Sequence, residues 1–229
     1  MFDSRYSKVL TTILIIVIIA IIGLLGFLGY DYYQNITITK DTSDFVEDFR
    51  GDITDDLPEE NITNNENITP PINENPLEQL QDPKPSTNTN TGTPNKQNYK
   101  GFGVLGTMEI PAINFNYPIL DRVTKDSIEK SVAFLYGVGI NKEGNSVIVG
   151  HNYRNGLFFS NNKKLKIGDK IFITDAEGKK LTYTIYSRFE TTDTDTSFYQ
   201  RDTAGKAEVT LSTCTDDSKA RLIILAKAE

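Results

Sequence analysis

An uncharged apolar run near the N-terminus constrains this chain more than any other feature. Residues 9–30 contain no charged side chain and consist mostly of Ile and Leu. At about 1.5 Å of rise per residue, a helix of this length spans a hydrocarbon core of about 30 Å. A cleaved signal peptide is the alternative, but its apolar part is about 7–15 residues long and a small-residue cleavage site follows it. The sequence therefore predicts a retained transmembrane anchor.

The charges that flank this run predict its orientation. Arg5 and Lys8 precede it, whereas the first charged residue after it is Asp31. Positively charged flanks tend to stay on the cytoplasmic side of a membrane. We therefore expect a cytoplasmic N-terminus at residues 1–8 and an extracellular location for the chain that follows the anchor.

The composition of residues 31–98 predicts an extracellular, disordered linker. From position 41 to position 98 the chain carries 13 acidic and 3 basic residues and is rich in Asn, Thr and Pro. So few apolar side chains cannot offset the loss of chain entropy on folding. A short helix at residues 41–50 is possible, and the Asn-Ile-Thr triplets at Asn61 and Asn67 match glycosylation acceptors or arise from composition alone. Removal of residues 41–98 is expected to uncover no core.

From Tyr99 onward, short β-type runs alternate with turn residues. The stretch at residues 124–133 is the best helix candidate, with Asp126-Ser127 as its cap and with Ile128 and Val132 four positions apart. Many short strands with almost no helix predict a closed or sandwiched β fold. The predicted strands lie at residues 104–110, 115–120, 145–150, 170–174, 181–186, 208–213 and 221–226.

The single cysteine, Cys214, follows directly on a predicted strand. Side chains alternate along a strand, so Cys214 shares a face with Thr210 and Ser212, opposite Val209 and Leu211. A lone cysteine is often a small buried hydrophobe, and it would then more naturally lie on the apolar face. Its place on the polar face favours a catalytic thiol.

Two further side chains are expected near this thiol. His151, the only histidine, ends an apolar strand, where its side chain can emerge at the rim of a barrel. Arg221 opens the strand after Cys214, and the loop at residues 215–220 would bring its guanidinium back toward the sulfur. A fixed cation beside a cysteine stabilises the thiolate and can donate to a developing oxyanion.

These residues carry a resemblance to the sortase family. Residues 210–214 read TLSTC and are followed by Arg221, which resembles the family's TLxTC…R signature. The resemblance spans residues 101–229, and its motifs occur in the family's order. The other matching stretches are GTMEIP at residues 106–111, GHN at residues 150–152 and GDKI at residues 168–171.

The resemblance implies a mainly all-β architecture. The catalytic domain at residues 99–229 would form an eight-stranded sortase-type β-barrel with one or two short helices. The transmembrane helix at residues 9–30 and the disordered linker at residues 31–98 would precede it.

The resemblance also implies the activity of a cysteine transpeptidase. Cys214 would be the nucleophile that cleaves an LPXTG-like sorting signal between Thr and Gly and forms a thioacyl intermediate. His151 would serve as general acid and base, and Arg221 would orient the substrate or stabilise the oxyanion. The implied partners are surface proteins that bear the signal and an amine acceptor of a Gram-positive cell wall. This chemistry requires no metal and no organic cofactor.

Several alternatives remain open at this point. A pilin-polymerising sortase usually carries an Asp-Pro-aromatic lid, whereas here Asp82-Pro83 is followed by Lys84, which favours a protein-anchoring enzyme. A hydrolytic cysteine peptidase would let water resolve the thioester, and a non-catalytic membrane-tethered β domain would make the three side chains incidental. Residues 99–229 hold 18 basic and 16 acidic groups, which gives no reason to expect nucleic acid as a partner.

Overall fold

The structure, a computed structural model, describes residues 4–55 and 97–229 and divides into two compact units, Met1–Asp41 and Thr42–Glu229. Helix α1, Ser4–Asp55, contributes to both units. Within the described residues, α1 is the one helix long and apolar enough to cross a membrane, and its apolar side chains at residues 9–30 are exposed. The N-terminal run is therefore an apolar helix, as predicted.

Helix α1 extends well beyond the apolar run. It continues through Asp55, so the first part of the segment predicted as a linker is helical, including the short helix considered at residues 41–50. The glycosylation triplets and the Asp82-Pro83 pair lie outside the described residues.

The last turns of α1 pack against the rest of the second unit. Thr42, Val46 and Phe49 are buried, a spacing that places them on one face of the helix. The Phe45 ring lies 4.9 Å from the Tyr99 ring between centroids. The expectation that residues 41–98 cover no core is therefore wrong for residues 42–49. Phe49 shares its cluster with Tyr99, Val104, Leu120 and Ala133.

A polar contact accompanies this packing. The Arg50 guanidinium pairs with the carboxylate of Glu109 and donates to Thr107 Oγ1 at 3.4 Å. Both acceptors lie on one strand of the sheet, so the helix is held by charge as well as by apolar contact.

Within residues 97–229, the second unit contains nine strands and a single turn of α-helix, α2, at Lys125–Ile128. Two 3₁₀ turns of the same described range, Pro111–Ile113 and Phe159–Lys164, lie between strands. The strands are β1 Asn98–Tyr99, β2 Phe102–Ile110, β3 Phe115–Leu120, β4 Val132–Gly137, β5 Gly144–Val149, β6 Lys170–Asp175, β7 Lys180–Thr191, β8 Ala207–Cys214 and β9 Arg221–Ala228.

Eight of these strands close into a barrel. The order is β2-β3-β4-β5-β8-β9-β7-β6, and β6 pairs back onto β2, while the two-residue β1 pairs with β2 outside the ring. Neighbours are antiparallel except β3–β4 and β5–β8. Closure leaves no free edge among the eight strands. The eight-stranded β-barrel is confirmed.

The helix predicted at residues 124–133 is mostly wrong. Only α2 forms, and its cap is Thr124, whose Oγ1 accepts from Ser127 N at 3.0 Å while Ser127 Oγ accepts from Thr124 N at 2.7 Å. Val132 begins β4, is fully buried and pairs with β3. The four-residue spacing of Ile128 and Val132 is typical of one face of a helix. In the structure, Val132 instead belongs to β4, which is stabilised by pairing with β3 and β5.

Candidate active site

The candidate site lies where three strands meet at one end of the barrel. Strands β5 and β8 are parallel, so their C-terminal ends lie at the same edge, and their last Cα partners are Val149 and Ser212. Strand β9 returns antiparallel to β8 and begins at that edge. His151, Cys214 and Arg221 follow or occupy these three ends, so the topology brings the three predicted residues together.

Cys214 and Arg221 are in direct contact. They are Cα partners across the β8–β9 pair, and Arg221 Nη1 donates to Cys214 Sγ at 2.8 Å. The loop between them is closed by a hydrogen bond from Thr215 N to Ala220 O at 2.9 Å. The partly buried thiol is thus held beside a fixed cation, which confirms the juxtaposition expected from the loop length.

The segment that carries His151 is bonded to the cysteine strand on both sides of the imidazole. Thr213 Oγ1 donates to Gly150 O at 2.7 Å, and Asn152 Nδ2 donates to Cys214 O at 3.0 Å. These bonds extend the contact between the two chain segments past the end of β5, alongside the last two residues of β8. They fix the backbone from which His151 projects.

A second set of polar contacts joins the loops that follow His151 and Cys214. Asn152 Nδ2 also donates to Asp216 Oδ1 at 2.9 Å, and Lys163 Nζ pairs with Asp216 Oδ2 at 2.6 Å. Arg154 Nη2 donates to Ser218 Oγ at 3.2 Å. These contacts were not predictable from the sequence alone, since all five side chains are ordinary polar residues of loops and turns.

The surroundings of His151 change the pKa of its imidazole in opposite directions. Burial lowers the pKa of the imidazole, the Glu129 carboxylate raises it, and the Arg221 guanidinium lowers it, with a net decrease. The His151 ring also lies 4.8 Å from the Tyr153 ring between centroids. The neutral imidazole is therefore favoured at neutral pH.

The imidazole titration is a direct test of this arrangement. Because His151 is the only histidine, a single Hε1 resonance reports its titration by NMR. We expect a midpoint below the usual 6.5, a further decrease in Glu129→Gln, and an increase in Arg221→Met. Glu177→Gln, in the β6–β7 turn at the opposite end of the barrel, should leave the midpoint unchanged. A midpoint that neither Glu129→Gln nor Arg221→Met moves would contradict the assigned causes.

The face of β8 that bears Cys214 is covered over most of its length. Thr210 and Ser212 share that face, as predicted from alternation; Thr210 is fully buried and Ser212 nearly so. Other side chains cover this part of the strand, so the polar face lies beneath a further layer of the chain.

Comparison with known proteins decides the family. Residues 108–229, just over half of the chain, match the family model described as Sortase domain. The chain belongs to the sortase family. It is 29% identical over 124 residues to sortase A of Bacillus anthracis and 30% identical over 139 residues to sortase A of Streptococcus agalactiae. These matches cover 53% and 55% of this chain, and 58% and 53% of the two relatives, so the chain spans little more than half of their length.

Solved sortase structures share the fold. Sortase A from Corynebacterium diphtheriae is similar with a TM-score of 0.51 and 28% identity, over 56% of this chain and 61% of that one. The sortase D5 transpeptidase of Clostridium perfringens is similar with a TM-score of 0.50 and 28% identity, over 55% of this chain and 79% of that one. The barrel of this chain is therefore a sortase barrel.

Proposed function

We propose that this chain is a sortase transpeptidase with Cys214 as its nucleophile. The observation that carries the proposal is the 2.8 Å contact between Arg221 Nη1 and Cys214 Sγ, beside the segment that holds His151. A cation in hydrogen-bond contact with the sulfur stabilises the thiolate, which is the nucleophilic form of cysteine. The matches to sortases from several bacteria support the same reaction class.

The first half of the reaction cleaves the sorting signal. Cys214 Sγ attacks the threonine carbonyl carbon of the Thr–Gly peptide bond in an LPXTG-like motif and forms a tetrahedral intermediate. Arg221 has five N–H donors, so it can keep one on the sulfur and offer another to the oxyanion. His151 gives a proton to the departing glycine amine, which leaves the acyl group on Cys214 as a thioester.

The second half transfers the acyl group. An amine acceptor of the cell wall enters, His151 removes its proton, and the nitrogen attacks the thioester carbonyl. The C–S bond then breaks and the thiolate is restored. The lowered pKa of His151 reduces the fraction of molecules with a protonated imidazole at neutral pH, so we expect slow turnover.

The location and partners follow from the same proposal. The N-terminal helix anchors the chain in the cell membrane of a Gram-positive bacterium, with residues 1–8 in the cytoplasm and the barrel outside, where surface proteins and cell-wall amines meet. The three proposed catalytic side chains complete the chemistry without a cofactor.

Product analysis separates this function from its alternatives. The full chain in detergent is incubated with an LPXTG-like peptide, with and without an added glycine oligomer, and the products are identified by mass spectrometry. An amide between the peptide's threonine and the oligomer is expected. A free threonine carboxylate alone, even with the amine present, would indicate a hydrolytic peptidase, and transfer only to a lysine-bearing pilin peptide would indicate a pilin polymerase.

A further inference from the structure

The order of the strands at the rim of the barrel gives His151 two different flanks. Strands β4, β5, β8 and β9 are neighbours in that order. Strand β4 runs antiparallel to β5, so its start lies beside the C-terminal end of β5, two residues before His151. Cys214 and Arg221 therefore lie on the β8 side of the imidazole. The segment that leads into β4, residues 129–131, lies on the other side.

The β4 side of the rim is closely packed. A Cβ atom added to Gly150 would lie 2.8 Å from Val132 Cγ1, so only glycine allows the two segments to approach this closely. Ser131 Oγ donates to Pro118 O at 2.6 Å, which holds the start of β4 against β3. The backbone that carries Glu129 is thus fixed beside the segment that follows β5.

An aromatic side chain lies beside the imidazole. The Tyr153 ring is 4.8 Å from the His151 ring and 5.8 Å from the Phe158 ring between centroids. Asn152 and Phe158 form an isolated β-bridge, which closes the turn that carries Tyr153. The Tyr153 side chain is nevertheless 43% exposed, so part of its ring is open to solvent next to His151.

The Glu129 carboxylate acts on both rings. Burial lowers the pKa of His151 and the carboxylate raises it, while burial raises the pKa of Tyr153 and the carboxylate raises it further. Glu129 is exposed. Within the part of the chain that the structure describes, Glu129 forms no ion pair and no side-chain cation lies over the Tyr153 ring. A free carboxylate and an open ring thus lie together on the β4 side of the imidazole.

These two groups match the charge of an incoming amine. The α-amino group of a peptide has a pKa of about 8, so it reaches the site mainly as an ammonium ion at neutral pH. A carboxylate attracts that charge, and an aromatic ring within about 6 Å of it adds a cation–π interaction. On the other flank, the Arg221 guanidinium would repel the same ion.

We propose that Glu129 and Tyr153 form a subsite that binds the ammonium group of the amine acceptor, on the β4 side of His151. The inference rests on the proposed function. The bound ammonium loses one proton to solvent before it attacks the thioester on Cys214. The nitrogen lone pair then forms the C–N bond, the C–S bonding pair returns to sulfur, and His151 takes the second proton. A bound cation also offsets the charge of Glu129, which favours the neutral imidazole that this step needs.

The test compares two nucleophiles on the full chain in detergent, with an LPXTG-like peptide at saturating concentration. Triglycine amide is cationic at neutral pH, whereas hydroxylamine is mostly neutral and cannot use a subsite for charge. Glu129→Gln removes the carboxylate, and Tyr153→Leu removes the aromatic ring. Asp126→Asn is the matched control for the charge, since Asp126 is an exposed carboxylate of the preceding helix α2. Tyr153→Phe keeps the ring and should retain most of the affinity.

The KM values distinguish recognition of charge from general damage to the site. In Glu129→Gln and in Tyr153→Leu we expect KM for triglycine amide to rise about two- to fivefold. KM for hydroxylamine should change by less than about 1.5-fold in the same variants. Asp126→Asn should match the unsubstituted enzyme with both nucleophiles. An unchanged KM for triglycine amide, or an equal rise for both nucleophiles, would overturn the proposal.

The titration of His151 gives a readout that does not depend on acyl transfer. Without any sorting-signal peptide, triglycine amide should lower the midpoint of the Hε1 resonance, because its positive charge opposes that of Glu129. N-acetylated triglycine amide carries no charge and should leave the midpoint unchanged, and Glu129→Gln should reduce the effect of the cationic ligand. Equal midpoints with the two ligands would overturn the proposal.

The two readouts separate this inference from the proposed function. If the midpoint responds as expected but neither nucleophile accepts an acyl group, the proposed function fails and the ammonium subsite stands. If hydroxylamine accepts the acyl group while the variants leave KM for triglycine amide unchanged, the proposed function stands and the subsite is overturned.

Discussion

Cys214→Ala is expected to abolish cleavage of a sorting-signal peptide. The chain has no second cysteine, so no other thiol can form the thioester. Removal of a nucleophile from a covalent mechanism lowers the rate by more than about 10⁴-fold. Peptide cleavage followed by chromatography measures the loss, and mass spectrometry of the intact protein shows whether an acyl adduct forms.

Two controls accompany this variant. Cys214→Ser keeps the shape of the side chain but presents a hydroxyl, which ionises far less readily than a thiol even beside the Arg221 guanidinium. This variant should be similarly inactive. The thermal midpoint of Cys214→Ala should stay close to that of the unsubstituted enzyme, which shows that the barrel is intact. Cleavage above background by either folded variant would remove Cys214 from the role of nucleophile.

Phe49→Ala is expected to lower the free energy of unfolding of the second unit by about 3–5 kcal/mol. Phe49 is 2% exposed and packs on residues from three strands of the barrel. Asp48→Ala, an exposed neighbour on the same helix, is the matched control and should change stability by less than about 0.5 kcal/mol. Chemical denaturation of a protein that begins at residue 39 measures both.

Truncation tests the same packing more severely. A protein that begins at residue 97 loses Val46 and Phe49 together and exposes Tyr99, which is 3% accessible when the helix is present. Since domains of this size are stable by about 5–15 kcal/mol, we expect the shorter protein to be marginally folded and prone to aggregation. Equal stability of the two proteins would show that the helix contributes little to the barrel.

The core of the candidate site was predictable because its determinants are local in sequence. Cys214 and Arg221 flank a short loop, and antiparallel strands joined by such a loop must bring the two side chains together. The placement of His151 depended on the motif that it resembles, because the parallel pairing of β5 and β8 leaves no short-range signal.

Other parts of the structure were missed for physical reasons. The helix face with Val46 and Phe49 is a short apolar stripe in an acidic segment, and only the barrel surface shows what it covers. Arg201 reads as an ordinary loop cation until the strands place Glu208 and Asn145 around it. Strand β4 was not predicted, because its first residue, Val132, lies four positions after Ile128 and was therefore assigned to a helix.

The parallel pairing of β5 with β8 has a consequence for the order in which the candidate site forms. Cys214 and Arg221 are seven positions apart, whereas Asn152 bonds to Cys214 across 62 positions. Contacts between distant positions require more loop closure and form later than a local hairpin. We therefore expect that, during folding, the contact between the Cys214 thiol and the Arg221 guanidinium forms early and that the His151 segment joins them last. A half-folded chain would hold the thiol without His151, its proposed acid–base partner, so under the proposed function acyl transfer would begin only when the barrel has closed.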